Sequence, residues 1–162
     1  MFTTTQFSSW DLNEDLLAGL SSIGWEFATQ VQKETIPLAL SGKDVIGQAR
    51  TGSGKTAAFG LPTMNACQPT GELQALILAP TRELANQVAE ELSNIQGETG
   101  LNIQTVYGGT DLEKQARNLQ AGVDIIVGTP GRVMDMTERG YIDLEKPNFF
   151  VLDEADRMLD MG

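Results

Sequence analysis

The chain has 162 residues, which fits one domain, because domains usually span about 100–200 residues. Hydrophobic residues make up 41% and charged residues 20%, as is typical of a globular protein. The sequence has no histidine and one cysteine, Cys67, which excludes an intrachain disulfide, a Cys/His zinc site and a Ser-His-Asp triad. The net charge of −11 argues against nucleic-acid binding by bulk electrostatics, since nonspecific affinity comes from Lys and Arg.

Membrane segments and export signals are not indicated. The longest apolar runs, Ala75–Ala79 and Phe149–Leu152, are far shorter than the roughly 18 residues that a membrane-spanning helix needs. The first residues, Met1–Gln6, have neither the basic start nor the apolar stretch of a secretory signal. We therefore expect a cytoplasmic protein that does not cross a membrane.

Short N-terminal helices are predicted up to about residue 42, because apolar residues recur at helical spacing in Leu16–Ile23 and again in Val31–Leu40. Beyond that point, short apolar runs predict buried strands that alternate with helices. The predicted strands are Asp44–Gly47, Ala75–Ala79, Asn102–Val106, Asp124–Val127 and Phe149–Leu152, and the predicted helices lie near residues 55–66, 82–96, 111–120 and 131–139. This alternation indicates a three-layer α/β/α fold with a mainly parallel sheet, whose ligands bind at the carboxyl ends of the strands.

A glycine-rich segment follows the first predicted strand: Ala49-Arg50-Thr51-Gly52-Ser53-Gly54-Lys55-Thr56. Its glycines let successive backbone N–H groups point at one phosphate, and the helix predicted to begin near Lys55 adds its positive end. Lys55 would reach the β- and γ-phosphates of a nucleotide, and the Thr56 hydroxyl would coordinate Mg²⁺. Ala49 stands where the strict phosphate-loop pattern has glycine, which is a small departure.

Two other interpretations of this segment remain open. It could be a flexible Gly/Ser turn that happens to precede a lysine. Alternatively, Gly52-x-Gly54-x-x-Ala57 satisfies the dinucleotide-binding pattern, with Glu72 near the spacing of a ribose-binding acid. Against the dinucleotide interpretation, several residues separate the strand from Gly52, whereas a dinucleotide turn begins at the strand end.

Two adjacent acids, Asp153 and Glu154, follow the apolar strand Phe149–Leu152. The first is suited to hold Mg²⁺, and the second to orient and deprotonate an attacking water. Such a pair alone is more often a solvated turn. In one sheet with a phosphate loop, it indicates nucleotide hydrolysis.

With Asp153-Glu154-Ala155-Asp156 the chain resembles the N-terminal RecA-like domain of a DEAD-box ATP-dependent RNA helicase, over essentially its whole length. The resemblance implies a P-loop NTPase fold of RecA-like type. Residues 43–162 would form an ATP-binding domain that is incomplete at its C-terminal end, after a helical Q-motif segment at residues 1–42. Asp156 would join a network that couples the domains.

The segment Gly24-Trp25-Glu26-Phe27-Ala28-Thr29-Gln30-Val31-Gln32 resembles the family's Q motif. By this resemblance, Gln32 donates to N7 of adenine and accepts from its 6-amino group, Phe7 packs on the base, and the Phe27 carbonyl faces the 6-amino group. Ala28 stands where proline is usual, and Phe27 where a polar residue is frequent. Phe7 and Trp25 could instead be helix-packing anchors.

Three more segments resemble the motifs with which the family grips the backbone of one RNA strand. They are Pro80-Thr81-Arg82, extended by Glu83-Leu84-Ala85, then Gly108-Gly109, and Thr129-Pro130-Gly131-Arg132. Thr81 and Thr129 stand at predicted helix starts, where backbone N–H groups favour a phosphate. Such contacts carry no base information, so sequence-independent binding is expected. Arg82 and Arg132 could also be ordinary surface ion pairs.

The resemblance implies ATP hydrolysis coupled to local unwinding of RNA duplexes, with ATP and Mg²⁺ as cofactors. Single-stranded RNA and a second RecA-like domain would be the partners. We expect these 162 residues to be a fragment and a monomer. They should bind nucleotide better than they hydrolyse it, because an arginine from a second domain supplies roughly 10³–10⁵ in rate in related phosphoryl transfer. Two alternatives remain: another P-loop nucleotide hydrolase, and a nucleotide-gated protein-binding module.

Overall fold

Residues 2–41 and 54–153 are described by a computed structural model, and they fall into two compact units. The first unit contains the described residues up to Ala66 together with Glu91–Gly100, and the second contains Cys67–Glu90 and the described residues from Leu101 onward. No helix within these described ranges is long and apolar enough to span a bilayer. The domain boundary near residue 42 stays a prediction.

The first unit begins with a strand where the sequence predicts helix. Strand β1 (Phe2–Gln6) pairs antiparallel with β2 (Phe27–Thr29), and the Thr3 hydroxyl donates to the Ala28 carbonyl at 2.8 Å. The prediction of helix throughout the first 42 residues is therefore wrong for these two segments. A three-residue strand is too short to show a period of two, and its partner is distant in the sequence.

Three α-helices lie in the described part of the first unit, besides a short 3-10 helix at Phe7–Ser9 and part of a later helix. They are α1 (Glu14–Ser22), α2 (Gln30–Leu40) and α3 (Lys55–Asn65). The Asn13 side chain caps α1 by accepting from the N–H of Leu16 at 2.9 Å. Helix α3 packs along α2. All three helices confirm predicted helical stretches.

A parallel four-stranded sheet forms the second unit, in the order β4-β5-β3-β6. Its strands are β3 (Ala75–Leu78), β4 (Ile103–Val106), β5 (Ile125–Gly128) and β6 (Phe149–Leu152), and the helices that follow the first three are α4 (Arg82–Ile95), α5 (Leu112–Gln120) and α6 (Pro130–Glu138). These elements confirm the four predicted strands and three predicted helices beyond residue 70. The remaining predicted strand, Asp44–Gly47, lies outside the described residues.

Strand register brings the ends of the four strands to one edge of the sheet. Gly128 pairs with Leu78 on one side and with Val106 on the other, and Leu78 also pairs with Leu152. The segments that follow these residues therefore leave the sheet at the same edge. This is where ligands bind to parallel sheets.

The opposite edge is organised by a buried carboxylate, Asp124, which is 1% exposed. Its Oδ1 accepts from the N–H groups of Thr70 and Gly71 at 3.1 and 2.8 Å, and from the Gln74 amide at 3.2 Å. Its Oδ2 accepts from the N–H of Asn102 at 2.8 Å. One side chain thus satisfies backbone groups ahead of β3 and β4, which would otherwise be costly to bury.

Candidate functional site

The side chain of Gln32 is buried, at 1% exposure, in the first turn of α2. Its Oε1 accepts from the backbone N–H of Thr29 at 2.8 Å, while the Thr29 hydroxyl accepts from the N–H of Gln32, so the two residues form a capping box. Its Nε2 donates to the Gly54 carbonyl at 3.2 Å. A primary amide has two N–H groups and two acceptor lone pairs, so each end retains capacity for one more hydrogen bond.

Gly54 links this amide to the start of α3. It is the residue before the helix, with φ of +88°, and a Cβ there would stand 2.6 Å from Gln32 Nε2 and 2.8 Å from Thr29 Oγ1. Glycine is therefore required both by the backbone and by the side chains packed against it. Lys55 is the first residue of the helix and is 8% exposed, and Thr56 follows it. The structure thus brings Gln32 to the helix start that carries Lys55.

The other residues of the predicted phosphate loop are Ala49, Arg50, Thr51, Gly52 and Ser53, which lie outside the described residues. Glu154 and Asp156 also lie outside them. Their predicted roles stay predictions.

Phe7 lies in an aromatic cluster. It is 2% exposed, stacks on Trp25 with centroids 6.2 Å apart, and meets Trp10 edge to face at 5.9 Å. An open cavity of about 390 Å³ lies beside this cluster, lined by Phe7, Trp25, Leu17 and Glu26 among others, and Gln32 is not part of that lining. Phe7 and Trp25 therefore pack as anchors, and the predicted contact of Phe7 with adenine stays a prediction.

Phe27 lies in β2 opposite Gln6, and its side chain is 38% exposed. The role predicted for Phe27 belongs to its backbone carbonyl. A phenylalanine in place of the more frequent polar residue changes the exposed surface of this strand, but it leaves the carbonyl in place.

Asp153 follows β6 directly and is 4% exposed. Its backbone N–H donates to the Leu78 carbonyl at 2.8 Å, which extends the sheet pairing by one residue and fixes the point where Asp153 leaves the strand. Within the described ranges no three acidic or cysteine side chains gather at one place.

Two predicted helix starts are confirmed in the second unit. Thr81 precedes α4, and its hydroxyl accepts from the N–H of Leu84 at 3.2 Å. Thr129 precedes α6 with Pro130 at the first position; its N–H donates to the Val106 carbonyl at 3.0 Å and its hydroxyl makes no capping bond. Gly131 is exposed, with nothing within 4 Å of where a Cβ would be. Both helix starts thus present N–H groups at the edge of the sheet where the four strands end, which we call the ligand edge.

Both candidate RNA-binding arginines, Arg82 in α4 and Arg132 in α6, contact the loop that follows β4. The Arg82 guanidinium carbon stands 4.8 Å from the centre of the Tyr107 ring, a cation–π contact. Arg132 donates from Nη1 to Gln115 Oε1 at 2.9 Å and from Nη2 to the Thr110 carbonyl at 3.1 Å. These partners are uncharged and do not neutralise the guanidinium groups, so the positive charge remains available to attract an anion.

Gly108 and Gly109 form the exposed tip of this loop. Gly109 has φ of +83°, and a Cβ there would stand 3.4 Å from Arg82 Nη1. Pro80 is buried, two residues after the end of β3. The structure therefore brings the glycine pair together with Arg82 and Arg132, as the sequence predicts for one interface.

Sequence reasoning missed Tyr107, Thr110 and Gln115, which hold the arginines. None belongs to a recognised motif. Tyr107 directly precedes the glycine pair in the sequence, and that is the one signal that could have indicated its role. Gln115 is identified only by its hydrogen bonds in the structure.

Comparison with known proteins adds a family assignment. The model of the DEAD/DEAH box helicase family matches residues 29–162. RNA helicase CrhR of Synechocystis sp. is 53% identical over 159 residues, which cover 98% of this chain and 32% of that protein. The DEAD-box ATP-dependent RNA helicase CshA of Bacillus subtilis is 49% identical over 160 residues, covering 98% of this chain and 32% of that protein. The chain thus spans about a third of the length of these relatives.

Solved structures agree on the fold. A DEAD box protein from the hyperthermophile Methanococcus jannaschii superposes with a TM-score of 0.92 at 40% identity, over 100% of this chain and 44% of that one. A hypothetical ATP-dependent RNA helicase from Sulfolobus tokodaii gives 0.84 at 40% identity, over 93% and 44%. The predicted RecA-like α/β fold is confirmed.

Proposed function

The chain belongs to the DEAD/DEAH box helicase family, and from that premise we propose that it is the ATP-binding and RNA-backbone-binding domain of an ATP-dependent RNA helicase. In the whole protein, ATP hydrolysis would drive local unwinding of RNA duplexes. The observation that carries the proposal is the bond from the Gln32 amide to Gly54, because it joins a group suited to read a base to the helix start suited to hold phosphates.

Adenine recognition is assigned to Gln32. The spare N–H of its amide would donate to N7, and the spare lone pair would accept from the 6-amino group. Guanine presents a carbonyl where adenine presents that amino group, so the same amide would lose an acceptor bond and face an oxygen. Phe7 and the Phe27 carbonyl would complete the base site.

Phosphate binding is assigned to residues 49–56, with Lys55 at the positive end of α3. Thr56 and Asp153 supply a hydroxyl and a carboxylate, which are the hard oxygen donors that Mg²⁺ prefers, so the residues present fit that ion. When bound, Mg²⁺ would neutralise charge on the β- and γ-phosphates. Glu154 would orient and deprotonate the attacking water, and Asp156 would couple the site to a second RecA-like domain.

RNA binding is assigned to the ligand edge of the sheet in the second unit, at Pro80, Thr81, Arg82, Gly108, Gly109, Thr129, Pro130, Gly131 and Arg132. Helix N–H groups and two arginines are suited to phosphates and carry no base information, so binding should be independent of sequence. Because the whole chain carries a net charge of −11, affinity should be weak and should fall steeply as salt rises.

These 162 residues alone should bind nucleotide better than they hydrolyse it and should unwind little or no duplex RNA, because arginines of a second RecA-like domain would complete the ATP site. We also assign the protein to the cytoplasm and expect the isolated chain to be monomeric. Robust unwinding by the purified chain would contradict this part of the proposal.

The nucleotide assignment is tested by calorimetric titration with ADP, GDP and NADH. We expect ADP to bind best and Gln32→Ala to remove the preference over GDP. The matched control is Gln30→Ala, which changes an exposed glutamine in the same helix turn. Preference for GDP, or indifference to the Gln32 change, would reject adenine reading, and preference for NADH would favour the dinucleotide-binding alternative.

In the full-length protein, Glu154→Gln tests the assigned base. The amide keeps the size of the side chain and cannot take up a proton from water. RNA-stimulated hydrolysis should be abolished while ATP binding persists. Unchanged turnover would show that another group activates the water.

A further inference from the structure

The amide of Gln115 joins two of the segments that the proposed function assigns to RNA. Its Nε2 donates to the Tyr107 carbonyl at 3.1 Å and to the Thr110 hydroxyl, and its Oε1 accepts from Arg132 Nη1 at 2.9 Å. Gln115 lies in α5 and is partly buried. One side chain thus connects the loop of Gly108–Gly109 with the first turn of α6.

A second set of bonds closes this arrangement into a ring. Arg132 Nη2 donates to the Thr110 carbonyl at 3.1 Å, and the Thr110 hydroxyl donates to the Tyr107 carbonyl at 3.2 Å. The guanidinium carries five N–H groups in a fixed plane. Two of them donate here, which sets the plane of the guanidinium, and the remaining three are the groups that would meet a phosphate.

The residue type at position 115 matches both of its partners. The end of the side chain that faces Arg132 must accept a hydrogen bond, and the end that faces the Tyr107 carbonyl must donate one. An amide offers both at its two ends, whereas a carboxylate would face the Tyr107 carbonyl with a second oxygen and would neutralise the arginine. A neutral acceptor therefore orients the cation without consuming its charge.

We infer that Gln115 is a positioning residue for RNA binding, which holds the glycine loop and Arg132 in the arrangement that receives one strand. The inference rests on the proposed function, because it concerns the same interface. Ordering these groups before RNA arrives spares the entropy that flexible side chains would lose on binding. The RNA contacts themselves come from the loop and from Arg132.

The test measures binding of a fluorescent single-stranded oligouridine RNA by anisotropy at low salt. Gln115→Ala and Gln115→Met should each weaken binding about tenfold, the loss expected when a bond to a charged group is removed. Methionine retains the length of the stem, so it serves if the alanine variant does not fold. Gln120→Ala, at the exposed end of the same helix, is the matched control and should stay within about twofold of the parent.

A double-mutant cycle separates positioning from simple stabilisation. Once Arg132 is alanine, the Gln115 change should cost clearly less than it costs in the parent, because the part of its effect that acts through that arginine is already lost. In the single variants, the slope of log affinity against log salt should shrink by about 0.7, as expected when the protein neutralises one phosphate fewer on a single strand. A purely structural role would lower the unfolding midpoint and leave this slope as in the parent.

The possible outcomes are distinct. If the parent chain binds RNA and Gln115→Met binds equally well, or if the two substitutions add in full, Gln115 is not a positioning residue while the proposed function stands. If the parent chain binds no RNA at low salt, the proposed function fails, and the inference about Gln115 fails with it.

Discussion

The side-chain amide of Gln32 donates a hydrogen bond to the carbonyl of Gly54 over 3.2 Å. The same amide accepts from the Thr29 N–H and closes the cap of α2. Under the proposed function, the group that reads the base is therefore attached to the residue that precedes Lys55. A base that fits poorly would disturb the amide and with it the start of the phosphate-binding helix.

Gly54→Ala should destabilise the chain strongly. Left-handed backbone costs a non-glycine residue about 1–2 kcal/mol, and the new Cβ would also stand 2.6 Å from Gln32 Nε2. We expect a total loss of about 3 kcal/mol or more in the free energy of unfolding, measured with urea, together with weaker ADP binding. Gly24→Ala is the matched control, since it has φ of +79° with nothing within 4 Å. Equal losses at the two positions would mean that the contact with Gln32 contributes nothing.

Tyr107→Leu should weaken RNA binding by about threefold, because a cation–π contact at an exposed site is worth about 0.5–1 kcal/mol and Arg82 would lose its support. Tyr107→Phe retains the ring and should bind within about twofold of the parent. Anisotropy with single-stranded RNA at low salt distinguishes them. A loss of the same size in the phenylalanine variant would instead assign the effect to the hydroxyl.

Asp124→Asn should lower the free energy of unfolding by about 2–4 kcal/mol, because the amide nitrogen would face N–H groups that now donate to a carboxylate oxygen. Nucleotide and RNA binding should change little once the chain is folded. Asp143→Asn is the control: Asp143 is exposed, accepts one N–H from Glu145, and retains an acceptor as asparagine. Similar losses in both variants would contradict the role given to Asp124.

Burial, with a smaller contribution from Asp124, raises the pKa of the Cys67 thiol from 9.0 to about 11. In the unfolded chain the thiol ionises at its ordinary pKa, so between these two values the unfolded state has lost a proton that the folded state keeps. This group's contribution to stability is therefore complete below pH 9 and is lost as pH rises toward 11. Thiolate absorbance should show the two midpoints in buffer and in urea, with Cys67→Ser as the blank. A midpoint near 9 in the folded chain would contradict the burial effect.

Much of the second unit could be predicted because its signals are local. Runs such as Ile125–Val127 are apolar throughout, and a strand buried on both faces requires that. Thr81 and Thr129 mark helix starts by their position after strands. The pairing of β1 with β2 left no such signal, because Phe2–Gln6 is mostly polar and its partner has three residues.

The candidate site could be predicted only in part. The phosphate-loop pattern predicts glycine at position 54 so that a phosphate can approach the backbone. The structure adds a second reason, because a Cβ at this position would clash with the Gln32 amide. The ring of bonds around Gln115 depends on two helices and a loop that meet in the fold. Tertiary contacts between polar side chains follow no sequence period, so pattern reasoning does not reach them.

The pairing of β1 with β2 has a practical consequence for biochemistry. Residues Phe2–Gln6 lie beside the strand that ends at Thr29, and Thr29 caps the helix of Gln32. A protease cut within Phe2–Gln6 would release Ala28 from its bond to Thr3, beside the residue that caps the helix of Gln32. Nucleotide affinities should therefore be measured on protein in which the strand Phe2–Gln6 is intact.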